Sequence, residues 1–238
     1  MEKYEKLQKI IDESDNIVFF GGAGVSTESG IKDFRSVDGL YNEKYDYPPE
    51  VMLSHSFLME HPKEFYQFYK DKLNATNIEP NVTHKYLKKL EDSGKLKAII
   101  TQNIDGLHEK AGSRNVLLLH GTTYQNHCMK CGKSYDADYV FHSKGIPKCS
   151  CGGMIKPDVV LYEEPLDEDT VQKAIQAIRE CDTLIIGGTS LVVYPAASYI
   201  HFFQGKNLVI INTSITAFDN QCTLVIHDKL GNVFSKLK

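Results

Sequence analysis

Ile17-Val18-Phe19-Phe20 leads straight into Gly21-Gly22-Ala23-Gly24-Val25-Ser26-Thr27-Glu28-Ser29-Gly30-Ile31-Lys32-Asp33-Phe34-Arg35-Ser36. A short, unbroken apolar run ending in glycines reads as a buried strand that opens into a loop. The same junction recurs where Ala98-Ile99-Ile100 leads into Thr101-Gln102-Asn103-Ile104-Asp105-Gly106. In an open parallel sheet, ligands sit beyond the carboxyl ends of the strands. Two such loops, rich in groups that hold phosphate, ribose and amide, point to one nucleotide site. Gly21, Gly22 and Gly24 would let backbone approach a phosphate, and Ser26 and Thr27 suit the turn that follows. The spacing is not G-x-G-x-x-G, so on the glycines alone a plain tight turn fits as well.

Further apolar runs stand at Val116–Leu119, Leu184–Ile186 and Leu208–Ile211, with Thr223–Ile226 as another candidate. Their continuous apolarity predicts strands buried on both faces, as in a parallel sheet. Helical stripes lie between them. Leu7, Ile10 and Ile11 form one; Tyr86, Leu87 and Leu90 form another over Thr83–Asp92, stopping near Gly94. Val171, Ala174, Ile175 and Ile178 form a third, with Asp169 as a candidate N-cap. This alternation is α/β, a doubly wound parallel sheet of Rossmann-like type. Two stretches break it. Asp38 to Thr76 is aromatic and helical in pattern, and Asn126 to Gly153 holds four of the six cysteines. The expected organisation is a larger nucleotide-binding domain from residues 1–37, 77–125 and 154–238. A helical insertion, 38–76, and a metal-binding module, 126–153, would together make a smaller domain.

Cys128-Met129-Lys130-Cys131 and Cys149-Ser150-Cys151 supply four thiol ligands, the set of a closed structural zinc site. The first pair has standard spacing. The second is one residue tighter, and Gly152 and Gly153 beside it would ease the turn. Free thiols are the plainer alternative, and His127 is a possible substitute ligand. Cys181 and Cys222 read as small buried residues.

The charged N-terminus, Met1-Glu2-Lys3-Tyr4-Glu5-Lys6, is followed by no long apolar core, so it does not read as a signal peptide. That favours a metal site over a disulfide framework, and a cytoplasmic location. The stretch from Thr183 to Gly205 lacks charged residues, but Gly187-Gly188-Thr189-Ser190 and Pro195 interrupt it. It reads as strand, loop and helix rather than a membrane span. A net charge of −4 indicates no broad basic surface for nucleic acid.

The two loops are more specific than the composition. The first, from its glycines through Asp33-Phe34-Arg35, resembles the leading signature of the sirtuins, with Lys32 where that family usually has proline. Thr101-Gln102-Asn103-Ile104-Asp105-Gly106-Leu107-His108 resembles the second signature without a gap. Val116-Leu117-Leu118-Leu119-His120-Gly121 resembles the third, and Gly187-Gly188-Thr189-Ser190, Val193-Tyr194-Pro195-Ala196 and Ile211-Asn212-Thr213 resemble later cofactor loops. The match spans nearly the whole chain in the family's order.

The resemblance implies an NAD-dependent protein-lysine deacetylase of bacterial type. Such enzymes cleave nicotinamide from NAD and move the acyl group of an acyl-lysine onto the ribose. The acyl oxygen attacks the anomeric carbon, and the ribose 2′-hydroxyl, activated by a histidine, then attacks the resulting imidate. Water completes the release of lysine and O-acyl-ADP-ribose. His120 would be the general base, a group that titrates near neutral pH. His84 would cap or pack its helix, and His108 would hydrogen-bond within its loop. Asn103 would hold ribose and orient water. Asp105, Ile104 and Phe34 would surround the nicotinamide, although Asn103 and Asp105 also suit a simple turn. Gly22, Ala23, Gly24, Thr27, Asp33, Arg35 and Gln102 would line the phosphate and ribose side. Gly188, Thr189, Ser190, Asn212, Thr213 and the backbone near Leu230 would hold the adenosine half. The four cysteines would bind one structural zinc.

An acetylated protein or peptide would add as a strand between Val160-Leu161-Tyr162 and Leu191-Val192-Val193. Relatives that remove acidic acyl groups use a tyrosine and an arginine three residues apart. Tyr69 and Lys72 stand at the corresponding place, and lysine lacks the bidentate fork, so neutral acyl groups are expected. Two other functions are compatible with the sequence: protein ADP-ribosyl transfer on the same fold, and a nucleotide sensor without turnover.

Overall fold

The computed structural model describes residues 2–33, 39, 45 and 47–238. In chain order, helix α1 (Glu2–Glu13) precedes strand β1 (Ile17–Gly21), and short helices α2 (Pro49–Met52), α3 (His55–Glu60), α4 (Pro62–Lys72) and α5 (Val82–Asp92) follow. Strand β2 (Leu96–Thr101), helix α6 (Leu107–Lys110) and strands β3 (Val116–Leu118), β4 (Gly121–Cys128) and β5 (Ser134–Asp136) come next. Helix α7 (Ala137–His142), strand β6 (Ile155–Val159), helix α8 (Glu168–Glu180), strands β7 (Thr183–Gly187), β8 (Asn207–Ile211) and β9 (Leu224–Ile226) and helix α9 (Leu230–Phe234) complete the order.

Six strands form one parallel sheet in the order β3-β2-β1-β7-β8-β9. The chain runs outward from β1 in one direction, then returns to lay β7 on its other side. This reversal between β1 and β7 is the switch point at which doubly wound folds bind ligands. The unbroken apolar runs are explained by burial on both faces. Ile17, Phe19, Ile99, Ile185, Val209 and Ile211 point to the face covered by α1, α5 and α9. Val18, Phe20, Ala98, Ile100, Ile186 and Ile210 alternate with them and meet α8 and the turn Ala196–Phe202. The parity of each residue thus fixes its layer.

A second, antiparallel sheet has the order β5-β4-β6. β4 starts at Gly121 and β6 ends at Val159, so this sheet extends beyond the cysteine stretch on both sides. The aromatic stripe of α3 and α4, Phe57, Phe65, Tyr66, Phe68 and Tyr69, packs with Val140, Phe141 and Ile155 in one core. The two stretches that interrupt the strand–helix pattern therefore share a core.

Two local expectations change. Helix α8 is capped by Asp167, whose carboxylate accepts from Thr170 N; Asp169 lies inside the first turn, where a negative charge suits the helix dipole. Tyr69 is fully buried, its ring stacked on Phe65 and Phe141, so it packs the core and is not available to an acyl group. Burial pushes its hydroxyl well above the usual tyrosine range.

Candidate functional site

The loops after β1, β2, β7 and β8 meet at the carboxyl edge of the parallel sheet. Backbone hydrogen bonds stitch them together: Gly22 N to Gly187 O at 3.2 Å, Gly24 N to Gly188 O at 2.8 Å, Gln102 N to Gly21 O at 3.0 Å and Gly188 N to Ile211 O at 3.1 Å. Glycine is required at the closest approach. A Cβ on Gly24 would lie 2.7 Å from the Gly188 Cα, and one on Gly22 would lie 2.7 Å from the Thr189 Cβ. Gly188 itself has φ +61°, a left-handed backbone that favours glycine. The glycine string is thus a packed junction of two loops, not a free turn.

A chain of polar groups crosses this junction. Ser26 Oγ donates to Asp105 Oδ2 at 2.6 Å, and Asn103 Nδ2 donates to Ser26 Oγ at 3.1 Å. Asp105 Oδ1 accepts from Leu107 N at 3.0 Å, and Thr101 Oγ1 accepts from Asn103 N at 3.0 Å. Asp105 is buried. Burial raises its carboxyl above the usual range, and the bonds from Ser26 and Leu107 work against that rise. Ser26 suits its turn in the sequence, yet it also joins Asn103 and Asp105. No local pattern reveals this, because its partners lie 77 and 79 residues away.

His120 follows β3, and its Nδ1 lies 2.9 Å from the Gln102 carbonyl. A carbonyl only accepts, so Nδ1 carries the proton and Nε2 keeps its lone pair. Burial lowers the affinity of His120 for a second proton, and the Gln102 carbonyl partly offsets that. The result is a neutral imidazole with one basic nitrogen. Gly121 beside it has φ +73°, and a Cβ there would overlap the Asp158 carbonyl, so β4 can start only from glycine. Thr189 Oγ1 donates to Gln102 Oε1 at 3.1 Å, which joins the β7 loop to the same group. The Gln102 Nε2 is buried and has no partner among the described residues.

The remaining expected residues divide by position. Thr27 Oγ1 bonds Gly24 O at 3.1 Å within the first loop, and Ala23 is half-buried there. Asn212 leaves β8, held by Ile226 O at 3.1 Å and by its own side chain on Ser214 O at 3.0 Å. Ser190 and Thr213 are exposed at the same edge, and Ile104 packs against the core of the smaller sheet. Leu230 is 3% exposed and faces Gly187, so its side chain belongs to the core. Asp33 is half-buried and ends the described part of the first loop. Phe34 and Arg35 lie outside the described residues. Of the two segments expected to flank a peptide, Tyr162 and Val192 are exposed, Val160 and Val193 are half-buried, and Leu161 and Leu191 are buried.

His84 and His108 sit below this site, 4.8 Å apart between ring centres. His84 Nδ1 accepts from Asn81 N, completing a capping box on α5. His108 does not bond within its loop: both ring nitrogens are buried without a partner among the described residues. Burial holds His84 down to about 4, and burial with the neighbouring His84 holds His108 down to about 3. Both are neutral in the fold, while in the unfolded chain they titrate near 6.5. As pH falls through 6.5 the unfolded chain takes up protons that the native one refuses, so stability is lost toward pH 4. For His84 that loss is on the order of 3 kcal/mol. Urea midpoints followed from pH 7 to pH 4 should show it. His84→Gln, which keeps the capping box, together with His108→Phe should flatten that part of the profile. A profile unchanged by both substitutions would exclude this pair as its source.

The four cysteine sulfurs converge. Cys128–Cys151, Cys131–Cys149 and Cys131–Cys151 are 3.5, 3.6 and 3.4 Å apart, and all four lie within 4.8 Å of one another. These gaps exceed a disulfide bond of about 2.05 Å and approach the edge, about 3.8 Å, of a tetrahedron with metal–sulfur bonds near 2.3 Å. Gly152 has φ +82°, and a Cβ on Gly153 would lie 2.6 Å from the Cys128 sulfur, so the tight second pair depends on both glycines. The set fits a closed structural zinc. His127 pairs with Asp158 instead. Cys181 is buried and Cys222 half-buried. Among the described residues, no helix is long and apolar enough to cross a membrane.

This geometry has counterparts. The Sir2 family profile matches residues 22–195. The chain is 57% identical over 237 residues to an NAD-dependent protein deacetylase of Clostridium acetobutylicum, covering 98% of this chain and 97% of that one. It is 58% identical over 240 residues to the protein of the same name from Clostridium perfringens, covering 99% and 98%. Among solved structures, a Sir2 variant with deacetylated p53 peptide and 3′-O-acetyl ADP-ribose superimposes with a TM-score of 0.90 at 36% identity, covering 98% of this chain and 96% of that one. A Sir2 complex with p53 peptide and NAD+ superimposes with a TM-score of 0.87, also at 36% identity and with the same coverage. With a matched profile and near-full-length identity above one half, this chain belongs to the Sir2 family.

Proposed function

We infer that this chain removes acetyl groups from protein lysines in an NAD-dependent reaction. NAD is its co-substrate, and zinc is its structural metal. The similarity to NAD-dependent protein deacetylases over nearly the whole chain supports the activity. One observation in the structure carries the chemistry. His120 donates an Nδ1–H hydrogen bond to the Gln102 carbonyl, which leaves Nε2 as the basic nitrogen of a ring held where the sheet loops converge.

The roles follow from chemistry. NAD supplies an electrophilic ribose carbon and the hydroxyl that accepts the acetyl group. His120 Nε2 takes the proton of that hydroxyl. Burial keeps the imidazole neutral and ready at neutral pH. Gln102 fixes the ring by its carbonyl, and its buried amide nitrogen, without a partner among the described residues, would suit a ribose oxygen. Gly22, Gly24 and Gly188 let the two loops close on each other, since a Cβ on any of them would strike the facing loop, and their backbone would line the phosphate side. Asn103, held by Ser26, would orient water and ribose. Asp105, fixed by Ser26 and Leu107, would receive the carboxamide of nicotinamide. Ala23, Thr27, Asp33, Phe34 and Arg35 would complete the phosphate and nicotinamide side, and Thr189, Ser190, Asn212, Thr213 and the Leu230 backbone the adenosine side.

The partners are acetylated proteins or peptides, bound between Val160-Leu161-Tyr162 and Leu191-Val192-Val193, in a cytoplasmic setting. With Tyr69 buried in a core, no tyrosine and cation stand ready for an acyl carboxylate in α4. Turnover of succinyl-lysine peptide is therefore expected to fall at least about tenfold below that of acetyl-lysine peptide. Comparable rates would refute this selectivity.

Mass spectrometry of an acetyl-lysine peptide, incubated with and without NAD, tests the whole reading. NAD-dependent loss of acetyl with release of nicotinamide and O-acetyl-ADP-ribose is expected. Addition of ADP-ribose to protein, or no consumption of NAD across an acyl panel, would overturn it in favour of transfer or sensing.

A further inference from the structure

Among the described residues, only two that are not glycine have a left-handed backbone: Glu163, with φ +75°, and Leu191, with φ +57°. Such a conformation costs a side-chain-bearing residue free energy and persists where its surroundings enforce it. The two residues stand in, or directly after, the two segments assigned above to the acyl peptide. Each is pinned differently. Leu191 N donates to Thr189 Oγ1 at 3.2 Å, which ties it to Gln102 and the nucleotide side. Glu163 is tied to the helical part of the smaller core.

That second tie uses the side chain. Glu163 Oε2 accepts from Ser56 N at 2.8 Å and from Ser56 Oγ at 2.5 Å. These bonds hold the Glu163 carboxyl below the usual carboxylate range. The backbone beside it is gripped by the same segment. Tyr162 N donates to Leu53 O, and His55 N donates to Tyr162 O, each at 3.0 Å, with Ser54 bridged to Tyr162 in parallel. Glu164 closes the turn: it accepts from Leu161 N at 2.9 Å, Lys156 Nζ at 3.0 Å and His55 Nδ1 at 2.8 Å. At its other end the segment is bound to His120 itself, between β3 and β4, since Val160 N donates to the His120 carbonyl at 2.9 Å. Residues 160–163 are thus a short bridge from His120 to the start of α3. Tyr162 pairs with residues 53–55 and Glu164 takes both Leu161 N and Leu161 O, so among the described residues Val160 O and the N and O of Glu163 make no backbone hydrogen bond and are the groups left for a peptide strand.

We propose that Glu163 is a positioning residue for the acyl peptide: the paired hydrogen bonds from Ser56 hold its left-handed backbone and so fix the Glu163 N–H and C=O, with the Val160 carbonyl, relative to His120. This rests on the deacetylase reading above. The Glu163 carboxylate touches neither NAD nor the acyl group in this role. It acts through the backbone that the peptide pairs with, so losing it should weaken peptide binding while sparing NAD.

The test is steady-state kinetics with acetyl-lysine peptide and NAD, plus anisotropy of a fluorescent acetyl-lysine peptide. Glu163→Ala should raise the peptide KM and Kd about tenfold, with the NAD KM and kcat changed less than about twofold. Glu163→Gly relieves the backbone, so it should fold at least as well as wild type and still bind peptide weakly. It keeps the test valid if the alanine variant folds poorly. Glu163→Gln retains an acceptor and should recover most of the affinity. Ser56→Ala, which leaves the backbone donor, should have a smaller effect and be less than additive with Glu163→Ala. Unchanged peptide affinity in the alanine and glycine variants of an active enzyme would overturn the proposal alone. So would a parallel rise in the NAD KM. A wild-type protein that neither binds nor deacetylates the peptide would overturn the deacetylase reading and this proposal with it.

Discussion

Replacing His120 by alanine is expected to cut NAD-dependent deacetylation by about 10²–10⁴-fold, the usual worth of a positioned general base. The fold should survive. The ring makes one hydrogen bond, to Gln102 O, and it is half-buried rather than a core residue. Losing that bond costs on the order of 1 kcal/mol, a small part of a typical stability. The pH profile gives an independent check. A general base must be unprotonated, so activity should fall as pH drops through the His120 pKa. Burial sets that pKa below the ordinary histidine value, which puts the acid limb below about pH 6.5. The residual activity of the alanine variant should lack this limb. Circular dichroism and an NAD-binding measurement would confirm that the variant is folded and loaded. Full activity in a folded variant would remove His120 from the chemistry, and an unchanged acid limb would assign the titration to another group.

The large sheet was the most legible part of the sequence. Each strand contained an uninterrupted run of at least three apolar residues, because a strand covered on both faces has little solvent side to mark with polar residues. The order of the strands was not legible, since no local feature says that β7 returns to the free edge of β1. The small sheet was hardly visible. β4 reads Gly121-Thr122-Thr123-Tyr124-Gln125-Asn126-His127-Cys128, with neither an apolar run nor clean alternation. One side of it packs in a small core and its end is given over to thiols, so hydrophobic patterning had little to report. At the site, long motifs named candidate ligand-facing residues, but not the contacts that hold them. Ser26, the Gln102 carbonyl and the Glu163–Ser56 pair act through contacts between distant segments. Their residue types are ordinary for the loops they occupy. His108 shows the reverse failure: a histidine in a polar loop motif turned inward, because the helix it begins packs its ring against His84 and Phe19.

Changing Cys149 to serine should abolish zinc binding and unfold the smaller core. Four thiolates this close repel one another, and only a cation lets them ionise together. The binding free energy of such sites is roughly 10–16 kcal/mol, and in a small module it is folding free energy. This exceeds what the surrounding core can replace. Cys149 is 5% exposed and Cys128 1%, and both belong to the cluster that includes Phe65, Tyr69 and Phe141, so an unbound thiol or a serine there also leaves a polar group in an apolar core. The effect should reach the active site along one strand. β4 carries Cys128 at its end and starts at Gly121, next to His120, and its partner β6 leads into residues 160–162, where we propose the peptide binds. Metal analysis should find about one zinc per wild-type chain and less than one tenth in the variant. Thermal denaturation of the variant should begin well below the wild-type transition, and deacetylation should fall with it. Chelation at raised temperature should reproduce both changes in the wild type, and zinc should reverse them. The parallel sheet buries its own core and carries no zinc ligand, so far-UV circular dichroism should retain its contribution after metal loss. Less than half an equivalent of zinc in wild-type protein purified without chelator would remove the metal from this account, and so would a Cys149→Ser variant as stable and as active as the parent.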